Sequence, residues 1–360
     1  MDGSAATAVH RLQRALTKVR ADSSDQPLRG VEDADEIRAD NEVFGSDDEA
    51  SSEENQGEQE LDVAQSSGSV GAAGRKNGIR LLDVASLSVE GSQGHANEDR
   101  CVVASNERFH LFAVVDGHGG SWAGDFLVDK LFNAIDEVYD DGFDHAKLTK
   151  AVEELDRTFC AMATRKLDMS GACLLVVLLY VDPNTDTPQN IVLNVGDCRA
   201  IVREAPESAS AGKKSKGKAP PPTSSPKAVA LSEDHCASNT KERMRALRSG
   251  AYIQNKRIAG VLEPFRTIGD IDVKGPDMKN WVIATPEIRQ SELLIGRSIL
   301  VIATDGVWTV LNNNRTMALA VKELGASGTR PSAESAAQSI VAEAREFGSC
   351  DDITVIVVSV

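Results

Sequence analysis

The 360-residue sequence lacks the features of a membrane-spanning, secreted or disulfide-stabilised protein. Its longest apolar run, from Ala172 to Val181, is much shorter than the roughly 18 residues that a membrane-spanning helix needs. The first twenty residues contain no apolar segment typical of a secretory signal. Six cysteines are scattered without a CxxC pair, which argues against a zinc ribbon or a disulfide framework. We therefore expect an intracellular protein, located in the cytoplasm or nucleus.

The sequence also lacks an excess of basic residues, and its formal net charge is −16. Residues 1–76 contain 17 acidic and 8 basic side chains, a net charge of −9, which leaves −7 for residues 77–360. Proteins that bind duplex nucleic acid need a basic surface to displace counterions. Nucleic acid is therefore not an expected partner. Separately, we expect the protein to be a monomer.

Residues 1–76 have the composition of an acidic, disordered leader. From residue 22 to about residue 74 the chain is rich in Asp, Glu, Ser, Gln and Gly and nearly free of aromatic residues, so it cannot bury enough apolar surface to fold. Within residues 4–20, apolar side chains recur at helical spacing between basic ones, which predicts a short amphipathic helix. This helix is interpreted as a transient element of the tail, and the alternatives are a partner-binding helix and an organelle-targeting peptide.

Residues 77–360 have the pattern of a folded domain with antiparallel sheets and flanking helices. Short apolar runs predict buried strands, which come in adjacent pairs as often as they alternate with helices. The predicted strands are Phe109–Val115, Cys173–Val181, Ile191–Val195, Ala200–Val202, Ile299–Thr304 and Ile353–Val360. Segments of helical period are Ser121–Val138, Ala146–Lys166, Asn239–Ser249 and Ala333–Phe347. Residues 204–227, rich in Lys, Pro and Ser, predict a low-complexity surface insertion between strands.

Acidic residues beside glycine recur where the apolar runs begin or end. They are Glu98 and Asp99, Asp116, Asp197, Asp305 and Asp351. Carboxylates on rigid strand ends suit a hard divalent cation, and glycine lets a backbone carbonyl approach the ion. A pair of such ions can activate water and hold a phosphoryl group. A single Asp-Gly usually marks only a turn, but five such clusters in one chain predict a metal site.

Nine segments of this sequence resemble the metal-dependent, type-2C Ser/Thr protein phosphatases, and they fall in the family's order. They are NEDR (97–100), FAVVDGHGG (112–120), SGACL (170–174), LNVGDCRA (193–200), LSEDH (231–235), RTIGD (266–270), ATPEI (284–288), VIATDGVW (301–308) and CDDITVIVV (350–358). The resemblance covers roughly residues 80–360. It implies a four-layer α-β-β-α sandwich of the α+β class, with two central, largely antiparallel sheets flanked by helices. It also implies hydrolysis of phosphoserine and phosphothreonine in phosphorylated protein substrates.

The same resemblance implies a role for each site residue. Asp116 would bridge two Mn²⁺ or Mg²⁺ ions, the Gly117 carbonyl would bind one of them, and Asp305 and Asp351 would complete the other. Glu98 and Asp99 would hold metal-bound waters. His118 would protonate the leaving oxygen, with water activated between the ions as the nucleophile. Asp197 and Asp305 would line a weaker third-metal position, and residues 234–270 would include a flap beside the substrate groove.

Several positions depart from the family pattern or have a structural interpretation. The family has a phosphate-gripping Arg where this sequence has Gly94, and His95 and Arg100 are the candidate substitutes. Thr309 stands where another third-metal Asp is common. For some other site positions we expect structural roles: Asp352 would fix a turn, and Arg266 and Asp270 would brace the flap.

Two alternatives to an active phosphatase remain open. A pseudophosphatase would use the same fold as a binding or regulatory scaffold, as Gly94 and Thr309 suggest. A serine hydrolase is suggested by the segment Gly119-Gly120-Ser121-Trp122-Ala123, although its last residue is not the glycine of a nucleophile elbow and Ser121 is expected to cap a helix.

Overall fold

The structure, a computed structural model, describes residues 78–203, 227–325 and 332–360. The predicted leader with its short helix, and residues 204–226 of the predicted insertion, lie outside these ranges. The described part of the chain contains no helix long and apolar enough to cross a membrane.

The strands and helices follow one another along the chain in a mixed order. The strands in the described residues are β1 (Asp83–Val89), β2 (Arg100–Ser105), β3 (Phe109–His118), β4 (Gly171–Asp182), β5 (Thr187–Val195), β6 (Arg199–Arg203), β7 (Ala228–Ala230), β8 (Ile253–Gln254), β9 (Arg257–Ile258), β10 (Ile268–Gly269), β11 (Glu287–Glu292), β12 (Ile299–Ala303) and β13 (Ile353–Ser359). The α-helices are α1 (Trp122–Glu137), α2 (His145–Lys166), α3 (Thr240–Arg248), α4 (Asp305–Trp308), α5 (Asn313–Leu324) and α6 (Ala333–Glu346).

Two antiparallel sheets form the centre of the fold. The first sheet has the strand order β1-β13-β12-β6-β7, and the second has the order β11-β5-β4-β3-β2 with β10 paired to β4. Every pairing within these two sheets is antiparallel. The connection from β6 to β7, which holds the predicted insertion, joins two strands that are neighbours in the first sheet.

Alternate residues of β3 show why the central strands are apolar throughout. Leu111 and Ala113 pack against α1 and α2, whereas Phe112 and Val114 face the other sheet. Since side chains alternate between the two faces of a strand, a strand buried on both faces reads as a continuous apolar run. A third core lies between the first sheet and the helices α4, α5 and α6. The layers are therefore helix, sheet, sheet and helix, which confirms the predicted four-layer α+β sandwich.

Most predicted elements are present, with ends shifted by a few residues. β3 continues to His118 instead of ending at Val115, because it stays paired with β4 as far as Gly171. β12 ends at Ala303, because Thr304 takes the N-cap position of α4. Ser121 takes the N-cap position of α1 as predicted, but its side chain bonds no backbone N–H there. Its hydroxyl instead donates to Asp125 Oδ2 at 3.0 Å.

Candidate active site

The acidic clusters meet because several strands begin or end at the same end of the sandwich. In the second sheet, β3 and β5 end where β2 and β4 begin, and in the first sheet β12 ends where β6 and β13 begin. The short turn from β5 to β6 carries Asp197 between the two sheets. Glu98 and Asp99 come directly before β2, Asp305 opens α4, and Asp351 lies just before β13. The topology thus brings together residues that are up to 253 positions apart in the chain (351 − 98 = 253).

Gly117 is required where β3 passes the Glu98 segment. A Cβ atom at Gly117 would lie 2.5 Å from the Glu98 carbonyl oxygen, which is closer than real Cβ contacts. The absence of a side chain therefore allows the backbone carrying Asp116 to approach the backbone carrying Glu98 and Asp99.

The carboxyl groups of this cluster are desolvated and repel one another. Burial raises the pKa of Asp116 well above its ordinary value, and the charges of Asp305, Asp99, Asp197 and Asp351 raise it further. Burial likewise raises the pKa of Asp305 well above its ordinary value, with Asp197 and Asp351 next in effect and a hydrogen bond with Asp116 acting in the opposite direction. Such a cluster is costly without a counter-charge, because removing several like charges from water is unfavourable.

The other two acids have smaller shifts with the same main cause. Burial raises the pKa of Asp99 to about 7, although hydrogen bonds with Thr354 and Thr304 oppose the change. Burial raises the pKa of Asp197 to about 6, and a hydrogen bond from Cys173, 3.2 Å from Sγ to Oδ1, opposes it. All four carboxyls therefore lie in surroundings that favour a bound cation or a proton.

The donor chemistry of this cluster fits a hard divalent cation. Mg²⁺ and Mn²⁺ prefer carboxylate and carbonyl oxygens, and a cation would remove the repulsion that raises these pKa values. As the side chains stand, the described residues contain no group of three or more His, Cys, Asp or Glu arranged to hold a metal ion. The chemistry of the donors and their mutual repulsion support a metal site, whereas ligand geometry does not add to that support.

Asp352 connects two backbone segments, in agreement with its predicted structural role. Its Oδ1 accepts from the Gly91 amide at 2.7 Å, and its Oδ2 accepts from the Glu98 amide at 2.8 Å. A second link joins the sheets: Thr304 Oγ1 donates to Asp99 Oδ2 at 2.8 Å. These bonds fix the Glu98-Asp99 segment against the start of β13 and the start of α4.

His118 makes a contact that the sequence did not predict. Its Nε2 lies 2.9 Å from Asp270 Oδ1 and 3.0 Å from Asp270 Oδ2, and the Asp270 side chain is only 5% exposed. Burial lowers the pKa of His118, but the charge and hydrogen bond of Asp270 outweigh burial, so the pKa is raised overall. Asp270 was predicted to brace the flap, and the structure shows that its carboxylate holds the histidine. The 152 positions between the two residues explain why local sequence patterns could not reveal this pair.

Arg100, a candidate substitute for the missing phosphate-gripping arginine, is bound to other groups of the protein. Its Nε donates to Asp125 at 2.8 Å, and its Nη1 donates to the carbonyls of Asn97 and Asp99, each at 2.8 Å. Arg100 therefore braces the turn before β2, and its role toward phosphate stays a prediction. His95 is exposed, and its Nδ1 lies 3.0 Å from the Ala96 carbonyl. Gly94 has φ +88°, and a Cβ there would meet nothing within 4 Å.

Thr309 and Arg266 both make structural contacts. The Thr309 hydroxyl donates to the Asp305 carbonyl at 2.9 Å, one helical turn earlier. Arg266 forms an ion pair with Glu242 of α3 at 2.5 Å, and its Nη1 donates to the Thr285 carbonyl at 2.8 Å. The prediction that Arg266 braces the region 234–270 is confirmed.

Ser121 has the wrong partner for a hydrolase nucleophile. A nucleophilic serine needs a base, usually histidine, to accept its proton. The Ser121 hydroxyl donates to Asp125, while the Nε2 of the nearby His118 lies against Asp270. This geometry does not support the serine hydrolase alternative.

Comparison with known proteins gives a consistent result across sequence and structure. The profile of the family described as Protein phosphatase 2C matches residues 83–353. The chain is 29% identical to Probable protein phosphatase 2C 14 of Arabidopsis thaliana, over 60% of this chain and 42% of that protein. It is 30% identical to Probable protein phosphatase 2C 25 of the same plant, over 73% of this chain and 61% of that protein. The chain thus spans between about two fifths and three fifths of the length of these two curated relatives.

Two solved structures share the fold. A phosphatase from a pathogenic strain of Toxoplasma gondii superposes with a TM-score of 0.61 at 21% identity, over 77% of this chain and 92% of that one. A C. elegans sex determining protein superposes with a TM-score of 0.58 at 21% identity, over 78% of this chain and 65% of that one. At these identities the superpositions show the architecture alone.

Proposed function

Since the chain belongs to the protein phosphatase 2C family, we propose that it is a metal-dependent phosphatase that hydrolyses phosphoserine and phosphothreonine in proteins. The observation that carries this proposal is the cluster of mutually repelling carboxyls at Asp116, Asp305 and Asp197, beside a histidine that faces Asp270. Asp197 is buried, and Asp116 and Asp305 are half-buried. The catalytic domain would comprise residues 77–360. It would act as a monomer in the cytoplasm or nucleus.

The residues of the metal site would come from five segments of the chain. Asp116 and the Gly117 carbonyl on β3 would hold the ions together with Asp305 and Asp351, while Glu98 and Asp99 would hold coordinated waters and Asp197 would border a weaker third position. Two Mn²⁺ or Mg²⁺ ions in this place would supply positive charge that neutralises the phosphate and lowers the pKa of the attacking water.

His118 would deliver the proton that the leaving oxygen requires. In hydrolysis, a water oxygen forms a bond to phosphorus, the bond from phosphorus to the serine or threonine oxygen breaks, and the water's proton passes to solvent. The departing alkoxide is strongly basic and takes a proton as the bond breaks. With Nε2 held by Asp270, Nδ1 is the ring nitrogen that we assign to the leaving oxygen. Asp270 fixes the ring orientation and stabilises its protonated form.

A second candidate function is a binding scaffold with this fold and no catalysis. It is favoured by one observation: Gly94 replaces the phosphate-gripping arginine, and Arg100 is already engaged by Asp125 and two carbonyls. Without a guanidinium, phosphate would rely on the cations and on exposed groups such as His95. The presence of Asp116, Asp305 and Asp351 favours the enzyme, because loss of the metal acids is the direct way to lose this chemistry.

Hydrolysis by the purified protein tests the proposal. The substrates are p-nitrophenyl phosphate and a phosphothreonine peptide, each with Mn²⁺, Mg²⁺ or EDTA. We expect metal-dependent turnover that Asp116→Ala lacks and that Asp129→Ala keeps, since Asp129 is 70% exposed on α1 and, among the described residues, forms an ion pair only with the adjacent Lys130. Turnover that EDTA leaves unchanged would overturn the metal mechanism. A folded protein without turnover on either substrate would favour the scaffold.

A further inference from the structure

Asp156, in the middle of α2, binds the segment that carries Asp270. Its Oδ1 accepts from the Gly269 amide at 2.9 Å and from Lys274 Nζ at 2.7 Å, and Cys160 Sγ lies 3.4 Å away. Its side chain is 18% exposed. A carboxylate in this setting that accepts from a backbone amide and an ammonium group forms strong, geometrically defined bonds. Neither Asp156 nor Lys274 belongs to the residues assigned to the candidate active site.

Lys274 connects Asp156 to the backbone just before β10. Its Nζ donates to the Thr267 carbonyl at 2.7 Å as well as to Asp156, and its side chain is 13% exposed. The ion pair therefore binds the backbone at Thr267 and at Gly269. Gly269 directly precedes Asp270 and Thr267 lies three positions before it, so the pair fixes the direction in which the chain enters Asp270.

The backbone at this point has a conformation that requires support. Gly269 has φ +85° and Asp270 has φ +53°, and a non-glycine residue with positive φ is strained. Such strain persists only where surrounding contacts determine the conformation. Besides the Asp156 bond, the Asp270 amide donates to the Ser170 carbonyl at 3.2 Å, the Val273 amide donates to the Asp270 carbonyl at 3.1 Å, and β10 pairs with β4. The Cys160 thiol lies 3.8 Å from the Gly269 carbonyl.

The Asp270 carboxylate also occupies a place that is available only because Gly171 has no side chain. A Cβ atom on Gly171 would lie 2.2 Å from Asp270 Oδ2. The Asp270 carboxylate therefore lies between β4 on one side and the His118 ring on the other. A small rotation of the Gly269-Asp270 backbone would move the carboxylate away from the His118 ring.

From these contacts we propose that Asp156, together with Lys274, is a positioning residue for proton delivery by His118. Asp156 holds the strained Gly269-Asp270 turn, the turn places the Asp270 carboxylate on His118 Nε2, and the carboxylate fixes the ring. Asp156 acts through these residues and does not touch the substrate. The inference rests on the proposed phosphatase function, and it deepens that function by adding a support on the helix layer outside the site.

The leaving group provides a test that separates positioning from general damage. The p-nitrophenolate ion is weakly basic and departs without a proton, whereas a threonine alkoxide requires one. A defect confined to proton delivery therefore slows the phosphothreonine peptide and leaves p-nitrophenyl phosphate nearly unchanged. Because general acid catalysis contributes about 10²–10⁴-fold, partial misplacement of the ring in Asp156→Ala should lower kcat on the peptide about tenfold. We expect KM for the peptide to stay the same.

Two further variants complete the experiment. Glu154→Ala on the same helix is the control, since Glu154 is 61% exposed and its one ion pair within the described part of the chain is with Arg157. Asp156→Asn retains an oxygen for the Gly269 amide and should restore most of the peptide activity. Hydrogen exchange of a peptide covering residues 266–272 should be faster in Asp156→Ala than in the wild type or in Glu154→Ala, without a general increase elsewhere. This measurement requires no catalysis.

Each result supports or overturns the proposal. A tenfold loss on the phosphopeptide alone, with faster exchange at residues 266–272, supports it. Equal losses on both substrates, or unchanged kinetics and exchange in folded Asp156→Ala, would overturn it. If the wild-type protein itself turned over neither substrate, the proposed function would fail. The positioning role would then be rejected if hydrogen exchange at residues 266–272 were the same in Asp156→Ala as in the wild type.

Discussion

The two sides of the candidate active site are held in different ways. The acidic side, with Asp116, Asp305 and Asp197, lies on ends of paired strands and on the turns that follow them, where the sheet registers determine each position. The histidine side depends on side chains that bind irregular backbone, namely Asp270 on His118 and Asp156 on Gly269. The acidic side is thus a product of sheet topology, and the histidine side is a product of individual long-range bonds.

This difference predicts two distinct kinds of failure. Loss of a metal acid should abolish turnover of every phosphate ester, because all of them need the activated water and the neutralised phosphate. Loss of a bond on the histidine side should affect only esters whose leaving group needs a proton. The ratio of activities on a phosphopeptide and on p-nitrophenyl phosphate therefore identifies the side on which a substitution acts.

Asp270→Asn should give the largest effect on the histidine side. The amide keeps the shape of the carboxylate but cannot stabilise a protonated ring, so kcat on the phosphothreonine peptide should fall about 100-fold, within the range of general acid catalysis. Turnover of p-nitrophenyl phosphate should change little. Steady-state kinetics on both substrates measure this, with Asp277→Asn as an exposed control nearby. An equal fall on the two substrates would remove the distinction between the sides.

Gly94→Arg should give a smaller effect, limited to phosphate affinity. A Cβ at this position meets nothing within 4 Å, so an arginine side chain has room, although φ +88° is unfavourable for it. The strain should cost about 1–2 kcal/mol of folding stability, and the guanidinium should lower KM for the phosphopeptide several-fold. Gly94→Ala is the matched control, since it has the same backbone cost and no guanidinium. A KM in Gly94→Arg that is equal to or above that of Gly94→Ala would contradict the interpretation of the missing arginine.

Removal of residues 1–76 should give the smallest effect. All the residues assigned to metal binding and proton transfer lie beyond this segment, so turnover of p-nitrophenyl phosphate should remain within the error of the full-length value. The comparison is made at matched concentrations of folded protein. A clear fall or rise in kcat would show that the leader acts on the catalytic domain.

The acidic side was the part that the sequence could predict. Continuous apolar runs mark the central strands, because those strands are buried on both faces, and the acids follow where the runs stop. Asp116 and Asp305 could therefore be assigned from local pattern and from the resemblance to a family. The strand β1 was not predicted, because its sequence, DVASLSV, is only partly buried and mixes Ser with apolar residues.

The histidine side was beyond the reach of local pattern. The Asp270–His118 and Asp156–Gly269 bonds join residues 152 and 113 positions apart, and β10, which connects them, has only two residues. The contacts of Arg100 could not be predicted for a related reason. Its side chain could have reached toward a phosphate, but the acceptors provided by Asn97, Asp99 and Asp125 are visible only in three dimensions.

Calorimetric titration of the metal-stripped protein with Mn²⁺ shows whether the acidic cluster binds metal ions, and it requires no substrate. We expect the wild-type protein and Asp129→Asn to bind two ions, and Asp116→Asn to bind them at least about tenfold more weakly, because it lacks a group that supports the metal site. Absence of Mn²⁺ binding by the folded wild-type protein, or identical titrations for wild type and Asp116→Asn, would contradict this expectation.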